Sequence, residues 1–277
     1  MEIKIVADSA CDLNQELRAG GSIHLVPLRL TLGDRQYVDD ETNIETFLAD
    51  MRNSSCSPQT ASPSPNEFMQ NYEGAEYVFV VTLSSNISST HNNAVLAREM
   101  VIEQEGHKFI HVFDSLSASI AETMVCLKIR ELASGNLAYM EIVEKVTQYI
   151  REMKTIFLLD SLTNLMKSGR LNRVKGTLAS LLDIKPILGA SAEGTIDLFQ
   201  KVRGTKKAFR RFVELIGEQG GKIEDKILGI AHCNCLDKAI EFKEEVLKRY
   251  HFKDIIIVEM GLTTSAYADE GGIIISF

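Results

Sequence analysis

The sequence has no apolar segment long enough to cross a membrane and no excess of positive charge. No run reaches the ~18 apolar residues of a membrane span, and the N-terminal residues lack the basic start and apolar stretch of a secretion signal. With 30 Lys and Arg against 38 Asp and Glu, the formal charge of the 277 residues is −8, whereas nucleic-acid binding needs a basic face. The sequence therefore predicts a cytoplasmic protein with no stable membrane insertion and no nucleic-acid partner.

Three motifs of phosphate and ester chemistry are also absent. The chain contains neither a G-x-x-x-x-G-K-[ST] loop nor a G-x-G-x-x-G turn, which weakens the case for nucleotide binding. It has no G-x-S-x-G elbow, the turn that presents the nucleophilic serine of α/β hydrolases. Neither a nucleotide-dependent enzyme nor a typical α/β hydrolase is therefore favoured.

Cysteines are few, and metal-binding motifs are weak. Five cysteines, an odd number with mixed spacing, are typical of a reduced cytosolic protein with free thiols. Cys233 and Cys235 stand beside His232, but a single C-x-C without a second cluster is weak support for a metal site. We interpret these three as half-buried strand-end residues and predict no metal.

Short β-branched apolar runs alternate with helical patterns through the first half of the chain. Segments 3–8, 77–83 and 108–114 are mostly apolar runs without a regular alternation, as in parallel strands that are covered on both faces. The alternation predicts an α/β domain with right-handed crossovers. Helices are expected at 66–73, 92–104, 117–132 and 138–153, and the Ser/Pro-rich segment 53–66 is expected to be a loop.

The second half of the chain has a different pattern. Residues 187–204 contain glycine and short alternating runs, which predict an antiparallel hairpin. Other strands are expected at 155–161, 226–232, 254–260 and 273–277, helices at 205–219 and 236–249, and two short helical pieces within 162–183. We predict an α/β fold of two domains, a parallel-sheet α/β/α domain at 1–157 and a mixed-sheet α/β domain at 158–277.

The dipeptide Asp-Ser ends three of the predicted strands, at Asp8, Asp114 and Asp160. Asp and Ser are good N-caps because their oxygens accept hydrogen bonds from the first amides of a helix. The carboxyl ends of strands in an open α/β sheet also converge on a ligand crevice. The pattern is compatible with helix capping and with ligand binding.

The segment VTLSSNISSTHNN, residues 81–93, ends a strand in a run of hydroxyls just before a helix. Hydroxyls and unpaired amides at a helix N-terminus suit a carboxylate or a phosphate. A nucleophile at Ser84, Ser85 or Ser88 needs an adjacent base, and the nearest candidate, His91, lies within the predicted helix. The pattern favours an anion-binding site. A serine-dependent hydrolase, a binder of another small anion and simple capping are the alternatives.

A basic stretch follows the predicted hairpin at residues 201–211. A charge run of this kind is commonly a solvated helix face. Together with Arg170 and Arg173 it can also form a docking patch for an acidic partner or a phosphate. The sequence leaves both interpretations open.

Several segments, taken in order, resemble the DegV family along the whole chain. They are IKIVADSACDL, VPLRLTLGDRQYVDD, TASPSP, SSNISST, FDSLSAS, KSGRLN and KVRGTKKA. The resemblance implies two α/β domains that hold one long-chain fatty acid between them, with the tail in an apolar tunnel and the carboxylate at hydroxyl groups near its mouth. It also implies a protein that is not itself an enzyme and has no cofactor. Such a protein acts as a carrier or presents the fatty acid to a separate dihydroxyacetone-kinase-like fatty acid kinase.

The resemblance also predicts which hydroxyl groups meet the ligand. Thr60 corresponds to the threonine that contacts the carboxylate. Ser84 and Ser85 correspond to a serine pair of which one side chain binds it, and Ser85 is favoured. Ser88, in the same serine motif, and Ser119, in FDSLSAS, complete the predicted set of ligand-binding hydroxyls.

Two arginines and one tyrosine extend this set. Arg170 and Arg203 match arginines near the head group or the kinase-docking face. Tyr267 stands where kinase subunits of the family have the histidine of H-x-G-P-G; a phenol can donate a hydrogen bond to a carboxylate but cannot supply the charge of an imidazolium. Asp269 and Glu270 add negative charge nearby, which opposes an anionic head group if they face it.

Other positions depart from the family pattern as well. Ser89 stands where the serine motif has glycine, and Ala121 and Thr123 stand where the helix after FDS often has glycines. If this helix lines the tunnel, the added bulk is expected to shorten or bend the acyl chain that fits.

Overall fold

The computed structural model describes residues 3–21, 23–40, 44–135, 137–171, 174 and 184–277, which form thirteen strands and ten helices. The strands are β1 (Ile3–Asp8), β2 (Ile23–Val26), β3 (Arg29–Leu32), β4 (Arg35–Val38), β5 (Gln59–Ala61), β6 (Tyr77–Thr82), β7 (Phe109–Asp114), β8 (Thr155–Leu158), β9 (Ile184–Ala190), β10 (Ile196–Arg203), β11 (Ile227–His232), β12 (Asp254–Glu259) and β13 (Ile273–Ser276).

Most of the helices agree with predicted helical segments to within a few residues at each end, whereas the helices at Gln15–Ala19, Ile44–Asn53 and Leu262–Ala268 were not predicted. They are α1 (Gln15–Ala19), α2 (Ile44–Asn53), α3 (Pro65–Tyr72), α4 (Thr90–Glu105), α5 (Ile120–Ser134), α6 (Tyr139–Glu152), α7 (Thr163–Lys167), α8 (Thr205–Gly220), α9 (Leu236–Leu247) and α10 (Leu262–Ala268). Of the two helical pieces predicted within 162–183, α7 is the first. Residues 175–183, as well as Arg173 of the predicted basic patch, lie outside the described residues.

The strands form one parallel sheet and one mixed sheet, as predicted. The first has the order β2-β1-β6-β7 with every pair parallel. The second has the order β10-β9-β8-β13-β11-β12, in which β11 and β12 are parallel and the other pairs are antiparallel, including the predicted hairpin β9–β10. The predicted fold class is confirmed. The domain boundary at residue 157 stays a prediction; it falls within β8, which belongs to the mixed sheet.

A third, small sheet was not expected from the sequence. Its order is β4-β3-β5, and β5 lies inside the segment 53–66 that was predicted to be a loop. The prediction is therefore wrong for Gln59–Ala61, because antiparallel pairing with β3 makes these residues a strand and sets Thr60 opposite Leu30. The same segment also holds the first two residues of α3, which begins in a capping box formed by Ser64 and Glu67.

Helix α5 lies between the two large sheets and joins them. It contacts β1 and β6 of the parallel sheet and β11 and β13 of the mixed sheet, and most of its residues are buried. A helix that packs against a sheet on each side must be apolar around most of its circumference. Even so, α5 carries a fully buried carboxyl group, Glu122.

Four carboxyl groups are buried near one another around α5 and the loop after β1: Asp8, Asp12, Asp39 and Glu122. Burial raises the pKa of Asp8 and of Asp12 to about 7, and it also raises the pKa of Asp39. Burial, with the nearby charge of Asp8 adding to it, raises the pKa of Glu122 well above its ordinary value. The folded protein therefore keeps protons on this cluster at pH values at which the unfolded chain has already released them.

Replacing Glu122 by Gln is expected to flatten the pH dependence of stability. A carboxyl group with a raised folded-state pKa contributes stability below its unfolded pKa, and this contribution is lost as the pH rises toward the folded pKa. The free energy of unfolding of the wild type should thus fall from pH 5 to pH 8. Each unit by which the folded-state pKa exceeds the unfolded-state pKa within this pH range contributes about 1.4 kcal/mol to the fall. Urea denaturation at both pH values measures it, with the exposed Glu131→Gln on the same helix as control. Equal slopes in wild type and Glu122→Gln would contradict the expectation.

Candidate functional site

The serine loop, residues 83–89 after β6, is held by carboxylates at the ends of both neighbouring strands. Asp8, at the end of β1, accepts a hydrogen bond from the Leu83 amide at 2.8 Å. Asp114, at the end of β7, accepts one from the Ser85 amide at 3.2 Å. Of the two interpretations left open by the sequence, helix capping does not apply to these aspartates, because the amides that their carboxylates bind belong to loops. They fix the backbone of the serine loop instead.

The third Asp-Ser pair behaves differently. Asp160 is exposed and forms an ion pair with Lys238 at 3.0 Å. Ser161 Oγ accepts a hydrogen bond from the amide of Thr163, the first residue of α7, at 3.2 Å. In this pair the serine, and not the aspartate, accepts a hydrogen bond from the first residue of a helix.

Ser84 joins the serine loop to the turn between β9 and β10. Its side chain is fully buried, and its Oγ donates to the carbonyl of Gly194 at 2.8 Å and accepts from the Asn86 amide at 3.2 Å. The Asn86 side chain donates in turn to the carbonyl of Glu193 at 2.6 Å. The Ser84 hydroxyl is thus occupied in holding two parts of the chain together.

A cavity of about 120 Å³ lies where the loops at the ends of β1, β6 and β7 meet the mixed sheet and α10. Residues from both predicted domains line the cavity. Most of the lining side chains are apolar: Ala10, Leu28, Leu83, Ile87, Ala118, Phe157, Leu159, Leu165, Ala190, Ile196, Ala268 and Ile274.

Four polar residues, here termed the mouth, line the cavity next to an outer polar cleft. They are Thr60, Ser88, Arg170 and Tyr267, and the first three also line the outer cleft. Thr60 Oγ1 and the Tyr267 hydroxyl are 2.6 Å apart. Ser88 Oγ is 2.8 Å from the hydroxyl of Thr90, the first residue of α4. The mouth therefore presents three hydroxyls beside the positive end of a helix dipole.

Arg170 is the one cationic side chain that the described residues contribute to the cavity wall. Its guanidinium lies over the ring of Tyr267, 4.9 Å from the ring centroid, in a cation–π contact. Its Nε donates to the carbonyl of Ile87 in the serine loop at 3.3 Å. Because a guanidinium has five N–H donors, it can bind a carboxylate while it keeps this contact.

The structure brings together half of the eight predicted ligand-binding residues. Thr60, Ser88, Arg170 and Tyr267 form the mouth, and Ser85 lines the outer cleft only; Ser84, Ser119 and Arg203 line neither. Ser119 is buried, and its hydroxyl donates to Asp12 at 2.5 Å. Arg203 is exposed at the end of β10 and lines a separate cleft.

The acidic residues beside Tyr267 do not face the cavity. The Glu270 carboxylate accepts hydrogen bonds from Arg52 at 2.5 Å and from Asn234 at 2.7 Å. The hydrogen bond from Arg52 lowers the pKa of Glu270. Neither Asp269 nor Glu270 lines the cavity. Since these two carboxylates do not face the mouth, they are not expected to repel an anionic head group there.

Ala121 and Thr123 do not line the cavity either. Both are fully buried in the core, and Thr123 Oγ1 donates to the carbonyl of Asp12 at 2.6 Å. The cavity wall uses Ser117 and Ala118, which precede α5. The expectation that the bulk of this helix shortens the tunnel is therefore wrong for these two positions.

Several hydroxyls of the cavity wall escaped the sequence analysis. Ser117 and Thr155 are hydrogen-bonded to each other at 2.8 Å, and α10 contributes two threonines. The overlooked hydroxyl residues are Ser117, Thr155, Thr195, Thr263 and Thr264. The signal for the last two was present, because a Thr-Thr-Ser run follows β12 as the serines follow β6.

A serine nucleophile finds no base in this arrangement. His91 Nδ1 lies 3.1 Å from the hydroxyl of Thr82, and burial lowers the pKa of its imidazole. Among the hydrogen bonds of the described residues, none joins a histidine to Ser84, Ser85 or Ser88. The described part of the site therefore shows no nucleophile–base contact of the kind that a serine hydrolase requires.

The cysteines near His232 lie where β11 ends. Cys233 is buried, Cys235 is half-buried and its amide donates to His232 Nδ1 at 3.4 Å. Within the described ranges, no three His, Cys, Asp or Glu residues are grouped so that they could hold a metal ion. In the same part of the chain, no helix has the length and apolar character to cross a membrane.

The sheet order and the cavity belong to an architecture that known proteins share over the whole length of the chain. The model of the DegV family, described as "Uncharacterised protein, DegV family", matches residues 2–277. The chain belongs to the DegV family. A DegV domain-containing protein of Streptococcus gordonii is 33% identical over 283 residues, which cover 100% of this chain and 99% of that relative.

Two solved structures of the same architecture contain fatty acids. A DegV family protein from Ruminococcus gnavus, refined with vaccenic acid, has a TM-score of 0.96 and 37% identity over 99% of each chain. The fatty acid kinase B3 protein of Streptococcus pneumoniae, loaded with linoleic acid, has a TM-score of 0.90 and 31% identity over 100% of this chain and 99% of that one.

Proposed function

We propose that this protein binds one long-chain fatty acid, with the tail in the cavity and the carboxylate at the mouth. The observation that carries this proposal is an apolar cavity that meets three hydroxyls and one guanidinium at the same place. An apolar chain with a single anionic end is the ligand that fits this arrangement. The fatty acids in the R. gnavus and S. pneumoniae proteins support it.

The energetics agree with this ligand. Each buried methylene contributes roughly 0.8 kcal/mol, so that a chain of sixteen carbons is held chiefly by its tail. Charge-assisted hydrogen bonds at the mouth add about 1.5–3 kcal/mol each. The tail therefore provides most of the affinity, while the mouth sets which end of the ligand lies outward.

Arg170 supplies the positive charge at the mouth, where Tyr267 stands in place of a histidine. Tyr267 is neutral, but its hydroxyl is in contact with Thr60 and its ring lies under the Arg170 guanidinium. A positive charge therefore lies at the mouth without an imidazolium. We assign the carboxylate contacts to Thr60, Ser88, Arg170 and Tyr267; a contact through Ser85, on the outer cleft, stays a prediction.

The same geometry suits a carrier or a subunit that presents its ligand to a fatty acid kinase. The outer cleft adjoins the mouth and is lined by polar side chains such as Ser62, Ser89 and Asn93. A carboxylate at the mouth is therefore accessible from that side to a second protein. The exposed Arg203 and the rest of the basic stretch 201–211 line neither the cavity nor the outer cleft, so a role in docking such a kinase stays a prediction for them.

Titration with vaccenic acid and with its methyl ester tests the proposed function. The free acid is expected to bind at one molecule per chain, and the ester, which has the same tail but no charge, about ten- to a hundredfold more weakly because it loses the charge-assisted hydrogen bonds. Calorimetry on delipidated protein measures both. No uptake of the acid would contradict the proposal, and equal affinity for acid and ester would show that the carboxylate is not held at the mouth.

The protein is expected to be inert toward a serine-reactive fluorophosphonate. Among the residues that the structure describes, no base is hydrogen-bonded to Ser88, and the Ser84 hydroxyl donates to Gly194. Intact-mass spectrometry after incubation should show no covalent adduct at Ser84, Ser85 or Ser88, with a known serine hydrolase as positive control. Stoichiometric labelling of any of the three would favour a hydrolase. Displacement of bound lipid by a sugar phosphate would favour a binder of another small anion.

A further inference from the structure

Helix α10 is part of the cavity wall and carries one residue of the mouth. Thr263, Thr264, Tyr267 and Ala268 all line the cavity. The helix has only seven residues, and a helix this short is not stable by itself in water. Its position must therefore be set by contacts with the rest of the molecule.

Asp39, a buried residue just after β4, binds the first amides of α10. Its Oδ1 accepts from the Leu262 amide at 2.9 Å, and its Oδ2 accepts from the Thr263 amide at 3.2 Å. The Ser9 hydroxyl donates to the same Oδ2 at 2.8 Å and accepts from the Leu28 amide at 2.9 Å. Both oxygens of Asp39 are thus engaged, and the carboxylate is itself held in place from the loop after β1.

Asp12 binds the same end of the helix from a second direction. Its Oδ1 accepts from the Gly261 amide at 2.7 Å and from the Thr264 hydroxyl at 3.2 Å. Its Oδ2 accepts from the buried Ser119 hydroxyl. Carboxyl oxygens at the first amides of a helix are favourable because they accept hydrogen bonds from donors that have no partner within the helix.

Gly261 allows both carboxylates to approach the helix start. A β-carbon at this position would lie 3.2 Å from Asp39 Oδ1 and 3.4 Å from Asp12 Oδ1. The first distance is tighter than ordinary van der Waals contact, and the second is at its lower limit. A larger residue at position 261 would therefore crowd Asp39 at the helix start without changing either carboxyl group.

We propose that Asp12 and Asp39 are positioning residues of the lipid site, which hold α10 so that Tyr267 reaches Thr60 and lies under Arg170. Thr263 and Tyr267 are four residues apart and therefore lie on the same face of the helix. Fixing the Thr263 amide consequently fixes the depth and rotation of Tyr267 at the mouth. Neither aspartate lines the cavity, so the two act through α10. This inference rests on the proposed function for its effect on fatty-acid binding, but its structural part does not depend on the ligand.

A double-mutant cycle tests whether Asp39 acts through Tyr267. Asparagine keeps the shape of aspartate but has one acceptor oxygen, so Asp39→Asn leaves one of the two α10 amides unbonded. Asp39→Asn is expected to weaken vaccenic acid binding about tenfold in the wild type, and by less than about threefold in a Tyr267→Ala background. Asp225→Asn, at an exposed turn, serves as the control and is expected to bind as the wild type does. An equal loss in both backgrounds, or no loss in either, would overturn the proposal.

Hydrogen exchange of the ligand-free protein gives a second readout. In Asp39→Asn the peptide that covers residues 261–268 is expected to exchange at least about tenfold faster than in the wild type, while β11 keeps its protection. If Asp39→Asn does not fold, Gly261→Ala provides the same test with both carboxyl groups in place. Unchanged exchange in the α10 peptide would overturn the proposal. A protein that shows the exchange effect but takes up no fatty acid would contradict the proposed function and leave the positioning of α10 standing.

Discussion

Replacing Arg170 by methionine is expected to weaken fatty-acid binding by about ten- to a hundredfold. Methionine keeps the length and much of the packing of the side chain over Tyr267, but it removes the charge beside the three hydroxyls of the mouth. The loss of a charge-assisted hydrogen bond costs about 1.5–3 kcal/mol, and every 1.4 kcal/mol corresponds to about tenfold in affinity. Competition with a fluorescent fatty acid measures the change.

The control for Arg170→Met is Arg210→Met, which removes an exposed arginine of the basic stretch on α8. It is expected to leave the affinity unchanged. A similar loss in both variants would point to a general effect of net charge, and retained affinity in Arg170→Met would show that the head group lies away from the mouth. In the methyl ester, which has no carboxylate, Arg170→Met should have little effect on binding.

Replacing Gly194 by alanine is expected to destabilise the protein by about 2–5 kcal/mol and to impair binding. Gly194 has φ +76°, where an L residue costs about 1–2 kcal/mol. Its β-carbon would also collide with Ser84 Oγ and lie 2.9 Å from Leu116 Cα, and overpacking of this kind costs about 1–3 kcal/mol. The carbonyl of Gly194 also accepts the hydrogen bond from Ser84 that joins the serine loop to the β9–β10 turn. Urea denaturation measures the effect.

Gly106→Ala separates the two causes of this destabilisation. Gly106 ends α4 with φ +72°, and nothing lies within 4 Å of the position of its β-carbon. Only the backbone cost, about 1 kcal/mol, is therefore expected for this variant. If Gly194→Ala were no more destabilising than Gly106→Ala, the contact between Ser84 and the β9–β10 turn would not contribute to stability as described.

The large elements of the fold followed from the sequence because they carry their own local signals. Buried parallel strands such as β6 are continuous apolar runs, and helices such as α6 have a clear apolar face. β5 has no such signal. It is three residues long in a segment rich in serine and proline, and it is a strand only because β3 lies beside it. A structure that depends on a distant partner cannot be recognised from its own residues.

The site was predictable in its chemistry and less so in its individual contacts. The resemblance to a fatty-acid-binding family pointed to the hydroxyls and the arginine of the mouth, and Thr60, Ser88, Arg170 and Tyr267 do lie together. The serines of one short motif could not be distinguished by sequence alone. The Ser84 hydroxyl donates to a carbonyl that lies 110 residues further along the chain, and only the fold brings that carbonyl close to it.

The buried aspartates show the same limit at a larger distance. A strand-end Asp-Ser pair suggests a helix cap, yet Asp8 holds a loop amide 75 residues away. Asp12 reaches the amide of Gly261, which is separated from it by 249 residues. Local propensity describes what an aspartate can accept, whereas the packing of α5 between the sheets decides which amides it meets.

Native mass spectrometry of the purified protein, followed by organic extraction, tests the central claim most directly. A chain that buries an acyl tail in this cavity should retain its ligand through purification, because each methylene adds roughly 0.8 kcal/mol. We expect a mass increment of one fatty acid per chain, identified as a long-chain acid in the extract, and its loss from a variant in which Ala118 on the cavity wall is replaced by Trp. A protein that carries no acyl chain, and takes none up when fatty acid is added, would contradict the account.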